Sequence, residues 1–195
     1  PPTKRYRAPA SIQPRGFNKP VSNYGGSSYG TVDVRTATWK SINTVYVQLV
    51  IDAGIRATAE LAKTMGISGI DVDSAEGGIA LGTKEVSPLD MASAFGVFAT
   101  GGMRASPTPI LRITDPDGKE IEDNLRDRSE RALEEEIATN VTAILEGVIT
   151  KGTGTRANIG RPAAGKTGTT DDNGNAWFVG YTPTLTTAVW MGYLA

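Results

Sequence analysis

Gly160-Arg161-Pro162-Ala163-Ala164-Gly165-Lys166-Thr167-Gly168-Thr169-Thr170 is the stretch on which the fold turns, because two incompatible patterns claim its lysine. Residues 160–167 fit G-x-x-x-x-G-K-[ST], the phosphate-cradling loop of nucleotide hydrolases, letter for letter. That loop works only between a buried strand and a helix, whose N-terminal amides and positive dipole hold phosphate. Here a polar stretch, residues 153–158, precedes it, and residues 168–174 follow as a turn sequence in which Asp171 and Asp172 repel phosphate. The other pattern is Lys166-Thr167-Gly168-Thr169 on a β-strand, with Lys166 and Gly168 on one face and Thr167 and Thr169 on the other or along the edge. There the lysine supplies positive charge, the glycine lets a substrate backbone approach, and the hydroxyls can bind a carboxylate. A solvated lysine on an exposed edge strand has the same letters. The phosphate-loop reading requires a helix beginning at Thr167.

Outward from that lysine, residues 163–169, 176–181 and 185–193 read as three strands, the last two joined by the Thr182-Pro183-Thr184 turn. Residues 134–150 form an amphipathic helix, since Ile137, Val141, Ile144, Leu145 and Val148 recur at three and four and Glu134 to Glu136 sit at its positive end. Gly152 stops it. Asp115-Pro116-Asp117-Gly118 turns a hairpin within residues 110–121. Ser87-Pro88-Leu89-Asp90 is a capping box with proline at the first helical position, and Gly101-Gly102 closes that helix. Helix also begins at Val34 and stops at Gly54, followed by a short helix over 58–65. Residues 1–30 hold five of the eleven prolines, five basic residues and no acid, and read as an extended loop that packs on something else. The class is α+β, helices first and an antiparallel sheet after.

The composition contains neither cysteine nor histidine. Disulfides, thiol nucleophiles, thiolate or histidine metal sites and the Ser-His-Asp triad are all excluded, so proton chemistry falls to Lys, Asp, Glu or Tyr. No metal or other cofactor is expected. The net charge of -1 gives no electrostatic case for nucleic acid, and 39% hydrophobic residues suffice for a core in one domain. Residues 173–195 carry no charge, but Pro183, three glycines and four threonines suit two strands around a turn better than a spanning helix.

About 120 residues before Lys166 stands Ser41-Ile42-Asn43, at a helix start. Alone it is a common helix cap. Paired with K-T-G in this order it gains meaning, and the sequence resembles the transpeptidase domain of class A penicillin-binding proteins over residues 23–193. The likeness rests on Tyr29-Gly30-Thr31-Val32, Ser41-Ile42-Asn43-Thr44-Val45, Ala80-Leu81-Gly82, Glu85-Val86-Ser87-Pro88-Leu89-Asp90-Met91-Ala92 and Phe98-Ala99-Thr100-Gly101-Gly102. Its most specific part is Gly165-Lys166-Thr167-Gly168-Thr169-Thr170 with Ala176-Trp177-Phe178-Val179-Gly180-Tyr181-Thr182-Pro183, which favours the class A branch. Two departures are Asn175, where the family often has an acid, and Trp39, where an aliphatic residue is usual.

The resemblance implies a penicillin-binding/β-lactamase-like serine transpeptidase fold, an antiparallel sheet flanked by helices with a helical subdomain. It also implies an acyl transferase that cross-links peptidoglycan stem peptides and is acylated by β-lactams. By this likeness Ser41 relays a proton to the leaving amine, Asn43 holds the acyl-side amide, and Lys166 keeps the field positive and hydrogen-bonds Ser41. Thr167 and Thr169 bind the substrate carboxylate across Gly168, and the Thr169 N–H is an oxyanion donor. The family's nucleophile lies in an S-x-x-K element, and no serine here has lysine three residues later. The chain therefore reads as the C-terminal part of the domain (residues 31–195, with 1–30 as its extended segment), needing an N-terminal segment that carries S-x-x-K and completes the sheet. Its parent is expected to be membrane-anchored and to act on the extracytoplasmic face of the bacterial membrane. A β-lactamase or β-lactam sensor, a catalytically silent cell-wall peptide-binding module and a P-loop NTPase are the alternatives.

Overall fold

The computed structural model describes residues 1–125, 128–170 and 174–193. Residues 1–30 are more ordered than a loop. β1 (Arg5–Ala8) pairs antiparallel with β4 (Gly30–Asp33), and between them β2 (Ser11–Ile12) pairs with β3 (Val21–Ser22). The strand signal was hidden in Arg5-Tyr6-Arg7-Ala8, where Tyr6 and Ala8 are buried and the arginines are exposed, a period of two among prolines and charges. Helical backbone in this segment is limited to one 3-10 turn, Tyr24–Gly26, with Gly25 at φ 65°.

α1 (Val34–Lys40) starts on Asp33, whose carboxylate accepts the Thr36 N–H at 2.8 Å. The helical run expected as far as Gly54 is broken: α1 ends at Ser41, and α2 (Asn43–Ala53) begins on a new axis. Ile42, only 1% exposed, is the reason, since it packs with Tyr6, Ala8, Ala37 and Val45. α3 (Ile55–Thr64) starts three residues earlier than its periodicity indicated. α4 (Pro88–Ala99) has the expected cap, Ser87 Oγ accepting the Asp90 N–H at 3.0 Å. The reciprocal half of the box is replaced, because the Asp90 carboxylate accepts both the N–H and the hydroxyl of Ser68, 22 residues earlier.

After β5 (Met103–Arg104) come the hairpin strands β6 (Arg112–Thr114) and β7 (Glu120–Asp123), then β8 (Glu130–Arg131), which pairs with β5. α5 (Glu135–Lys151) carries the predicted apolar stripe and ends at Gly152. β9 (Ala164–Thr169), β10 (Asn175–Thr182) and β11 (Leu185–Gly192) form one antiparallel sheet in the order β11-β10-β9. Of the turn sequence read over 168–174, Gly168 and Thr169 belong instead to β9, and residues 171–173 lie outside the described residues. Register places Lys166 beside Val179, and Val179 beside Ala188, on the face that also carries Ala164 and Tyr181. Leu145 and Val148 of α5 and Phe95 and Phe98 of α4 cover that face. The Tyr181 hydroxyl pairs with that of Thr142 at 2.9 Å, and burial pushes its phenol up to about 12.

α1 is locked onto α5 through Trp39. Its indole N–H donates to the Ile144 carbonyl at 2.9 Å, and the Lys151 ammonium sits 4.0 Å above its ring. A Cβ at Gly147 would lie 2.0 Å from the Trp39 indole nitrogen. Gly147→Ala should therefore destabilise the protein by about 1–3 kcal/mol, whereas Thr139→Ala on the exposed side of α5 should change stability by under about 0.5 kcal/mol. Denaturant unfolding of the full-length protein checks both, and equal midpoints would show that α1 does not rest on this glycine.

Candidate active site

Ser41 is the sole described residue other than glycine at positive φ (53°). Its N–H caps α1 and the Ile42 N–H returns to the Ala37 carbonyl at 2.9 Å, so the turn closes like a glycine-terminated helix without a glycine. A left-handed serine costs about 1–3 kcal/mol, and burial of Ile42 compensates. Ser41 caps no helix with its side chain. The N-cap of α2 is Ile42, and the buried Asn23 takes over, its Oδ1 accepting the Thr44 N–H at 3.0 Å while its amide donates to Pro9 and Ser27 carbonyls.

The freed Ser41 hydroxyl meets Lys166, whose Nζ donates to Ser41 Oγ at 2.8 Å and to the Thr167 carbonyl at 2.8 Å. Two positions 125 residues apart are thus in direct contact. Lys166 lies on a strand and not at a helix start, which removes the phosphate-loop alternative. Burial lowers the Lys166 ammonium from 10.5 to about 8.

Asn43 is not drawn into this pair. It starts α2, and its amide donates to the Ser22 carbonyl at 3.0 Å, on the β2–β3 ribbon. Gly168 has a packing reason beside the one read from the sequence, since a Cβ there would stand 3.2 Å from the Trp177 Cβ on β10. Along β9 the Thr170 N–H donates to the Asn175 carbonyl at 3.0 Å. Antiparallel bonding alternates, so the neighbouring Thr169 N–H and the Thr167 N–H and C=O point away from β10, to the open edge. Thr167 Oγ1 is 2.6 Å from the hydroxyl of Thr153, a residue that neither motif contains. Asn175, which departs from the family pattern, accepts the Trp190 indole N–H at 2.8 Å, so the amide oxygen serves where an acid is usual.

Residues 8–195 match the family model of the penicillin-binding protein transpeptidase domain. The chain belongs to this family. It is 39% identical over 172 residues to penicillin-binding protein 1A of Aquifex aeolicus, covering 88% of this chain and 23% of that protein. It is 36% identical over 179 residues to penicillin-binding protein 1F of Bacillus subtilis, covering 88% and 24%. The chain spans about a quarter of the length of these curated relatives. Among solved structures, PonA1 of Mycobacterium tuberculosis in complex with penicillin V superposes with a TM-score of 0.87 at 28% identity, covering 99% of this chain and 55% of that one. The fold is thus the α+β fold of penicillin-binding transpeptidase domains.

Burial of Lys166 makes this member of the family less stable where the ammonium is charged in both states. Below about pH 8 the desolvation penalty is present in full; between about 8 and 10.5 the unfolded state binds more protons and stability rises with pH. Lys166→Met should therefore be more stable than the parent at pH 7, by on the order of 1–3 kcal/mol, with the margin narrowing toward pH 10. Denaturation of the full-length protein at both pH values measures it, and a margin that widens with pH would contradict the assignment.

Proposed function

We propose that the parent protein is a peptidoglycan D,D-transpeptidase and that this chain supplies two walls of its acyl-transfer site. The contact between Lys166 and Ser41 carries the reading, because it joins the K-T-G and S-x-N elements into one polar cleft. The nucleophile is a serine of an S-x-x-K element in the segment N-terminal to these residues. Its hydroxyl attacks the carbonyl of the penultimate D-Ala and gives its proton to its own lysine. The C–N bond then breaks, and Ser41 passes a proton to the departing D-Ala amine. The Thr169 N–H, aimed at the open edge of β9, holds the oxyanion, a contribution of about 3 kcal/mol for such donors. An amine of a neighbouring stem peptide attacks the acyl-enzyme carbonyl, the ester C–O bond breaks, and the amine's proton returns by the reverse route to the released serine oxygen.

Lys166 keeps the field positive and Thr167 and Thr169 bind the donor's terminal carboxylate across Gly168. Asn43 holds the acyl-side amide, for which it retains a second N–H and a carbonyl oxygen. β-Lactams present a carboxylate and a strained amide in the same arrangement, and PonA1, solved in complex with penicillin V, supports the extension to them. The exposed apolar row Leu185, Val189 and Met191 on β11 is consistent with a sheet that the N-terminal segment completes. Peptidoglycan places the reaction outside the cytoplasmic membrane. No helix among the described residues is long and apolar enough to cross it.

In the full-length protein, Lys166→Ala and Asn43→Ala should slow acylation by a penicillin at least about tenfold, a loss of about 1.4 kcal/mol or more, while Lys63→Ala and Lys119→Ala should not. Stopped-flow acylation reads the rates, and peptide mapping of the adduct should place it outside residues 1–195. Equal rates for all four variants, or an adduct on Ser41, would refute the proposal.

A further inference from the structure

Thr153 touches the K-T-G strand and the helix that leads into Ser41. Its N–H donates to the Trp39 carbonyl at 3.0 Å, two residues before Ser41, and its hydroxyl lies 2.6 Å from that of Thr167 on β9. The turn that carries it is held tightly. The N–H groups of Gly152 and Gly154 both donate to the Val148 carbonyl, at 3.1 and 3.0 Å. A Cβ at Gly152 would stand 2.4 Å from the Trp39 oxygen, and one at Gly154 3.2 Å from a Val148 methyl. Glycines on both sides therefore let Thr153 sit against α1 and α5 while its side chain reaches the edge of the sheet.

Each hydroxyl has one proton, so in this pair one oxygen donates and the other accepts. A carboxylate only accepts. If Thr167 is to bind one, its proton must point to the carboxylate, and it can then receive but not donate in the bond with Thr153. Thr153 donating to Thr167, and Thr167 to the carboxylate, is a chain in which each bond polarises the next. The opposite orientation would spend the Thr167 proton on Thr153 and turn lone pairs toward an anion.

We propose that Thr153 is a positioning residue for carboxylate recognition, orienting the Thr167 O–H toward the terminal carboxylate of the donor peptide or of a β-lactam. This rests on the reading of Thr167 as a carboxylate ligand given above. The side chain of Thr153, and not merely its backbone bond to Trp39, is then needed.

The test compares acylation of the full-length protein by a penicillin and by the methyl ester of the same penicillin. Thr153→Val keeps the shape and the backbone bond but removes the donor. It should slow acylation by the acid about tenfold, as expected for a hydrogen bond serving a charged group, and acylation by the ester less than about twofold. Thr153→Ser should restore the acid rate to within about twofold. Adding Thr153→Val to Thr167→Val should cause no further loss, because Thr153 acts only through Thr167. Should the valine variant fail to fold, as judged by its melting curve, Thr153→Ala replaces it with the same expectations. A slow Thr167→Val beside an unchanged Thr153→Val would overturn this inference alone. An unchanged Thr167→Val would overturn the carboxylate reading beneath it, and equal losses on acid and ester would reduce Thr153 to a structural role.

Discussion

Burial of Ile42 is the constraint on which the site depends. Because Ile42 packs against Tyr6, Ala8 and Val45, the chain must turn between α1 and α2, and the residue at the turn takes φ 53°. Glycine would adopt that angle without strain, but glycine has no hydroxyl. Serine at this position accepts backbone strain so that its Oγ is displayed to Lys166. The strand pair β1–β4 thus acts on the site from a distance: it forms the wall against which Ile42 is pressed.

The two departures from the family pattern have local compensations. Trp39 is larger than the aliphatic residue usual there, and the room comes from Gly147, whose missing Cβ the indole occupies. The ring then gains a hydrogen bond to Ile144 and the Lys151 cation, and its carbonyl takes the Thr153 N–H. One side chain therefore ties α1 to α5 and, through its main chain, to the turn before β9. Asn175 replaces a charge by an amide but keeps an acceptor oxygen for the Trp190 indole. Both substitutions change what a position contributes while leaving its bonds satisfied.

Much of this was legible in the sequence because the signals were local. The Ser87 cap, the Asp115–Gly118 turn, the stripe on α5 and the three final strands are set by residues within a few positions of one another. Pairing S-x-N with K-T-G came from resemblance, and the 2.8 Å contact supplied what spacing could not. What escaped the reading is non-local. The β1–β4 ribbon was masked by arginines that alternate with its two buried residues, and the break at Ser41 came from tertiary packing of a single isoleucine. Asn23 lies in the segment read as an extended loop, yet it caps α2 across 21 residues. Thr153 sits in a polar stretch with no periodicity; its flanking glycines were the one available sign, and glycines there read equally well as a helix stop.

Lys166 shows why the same eight letters do not make a phosphate loop. In that loop the lysine would lie beside a helix N-terminus, with solvent and phosphate to keep it charged. Here it extends from a strand onto the helix-covered face of the sheet, where burial lowers its proton affinity and its described acceptors are a neutral hydroxyl and a carbonyl. Neutral oxygens orient an ammonium without neutralising its field. An aspartate in place of Ser41 would hold the charge more firmly, but it would also cancel the positive potential that the proposed carboxylate-binding role requires. If the cleft is to attract a carboxylate, as proposed, a lysine held by dipoles serves it better than one already paired, and the lowered proton affinity is the cost of burial that neutral partners do not offset.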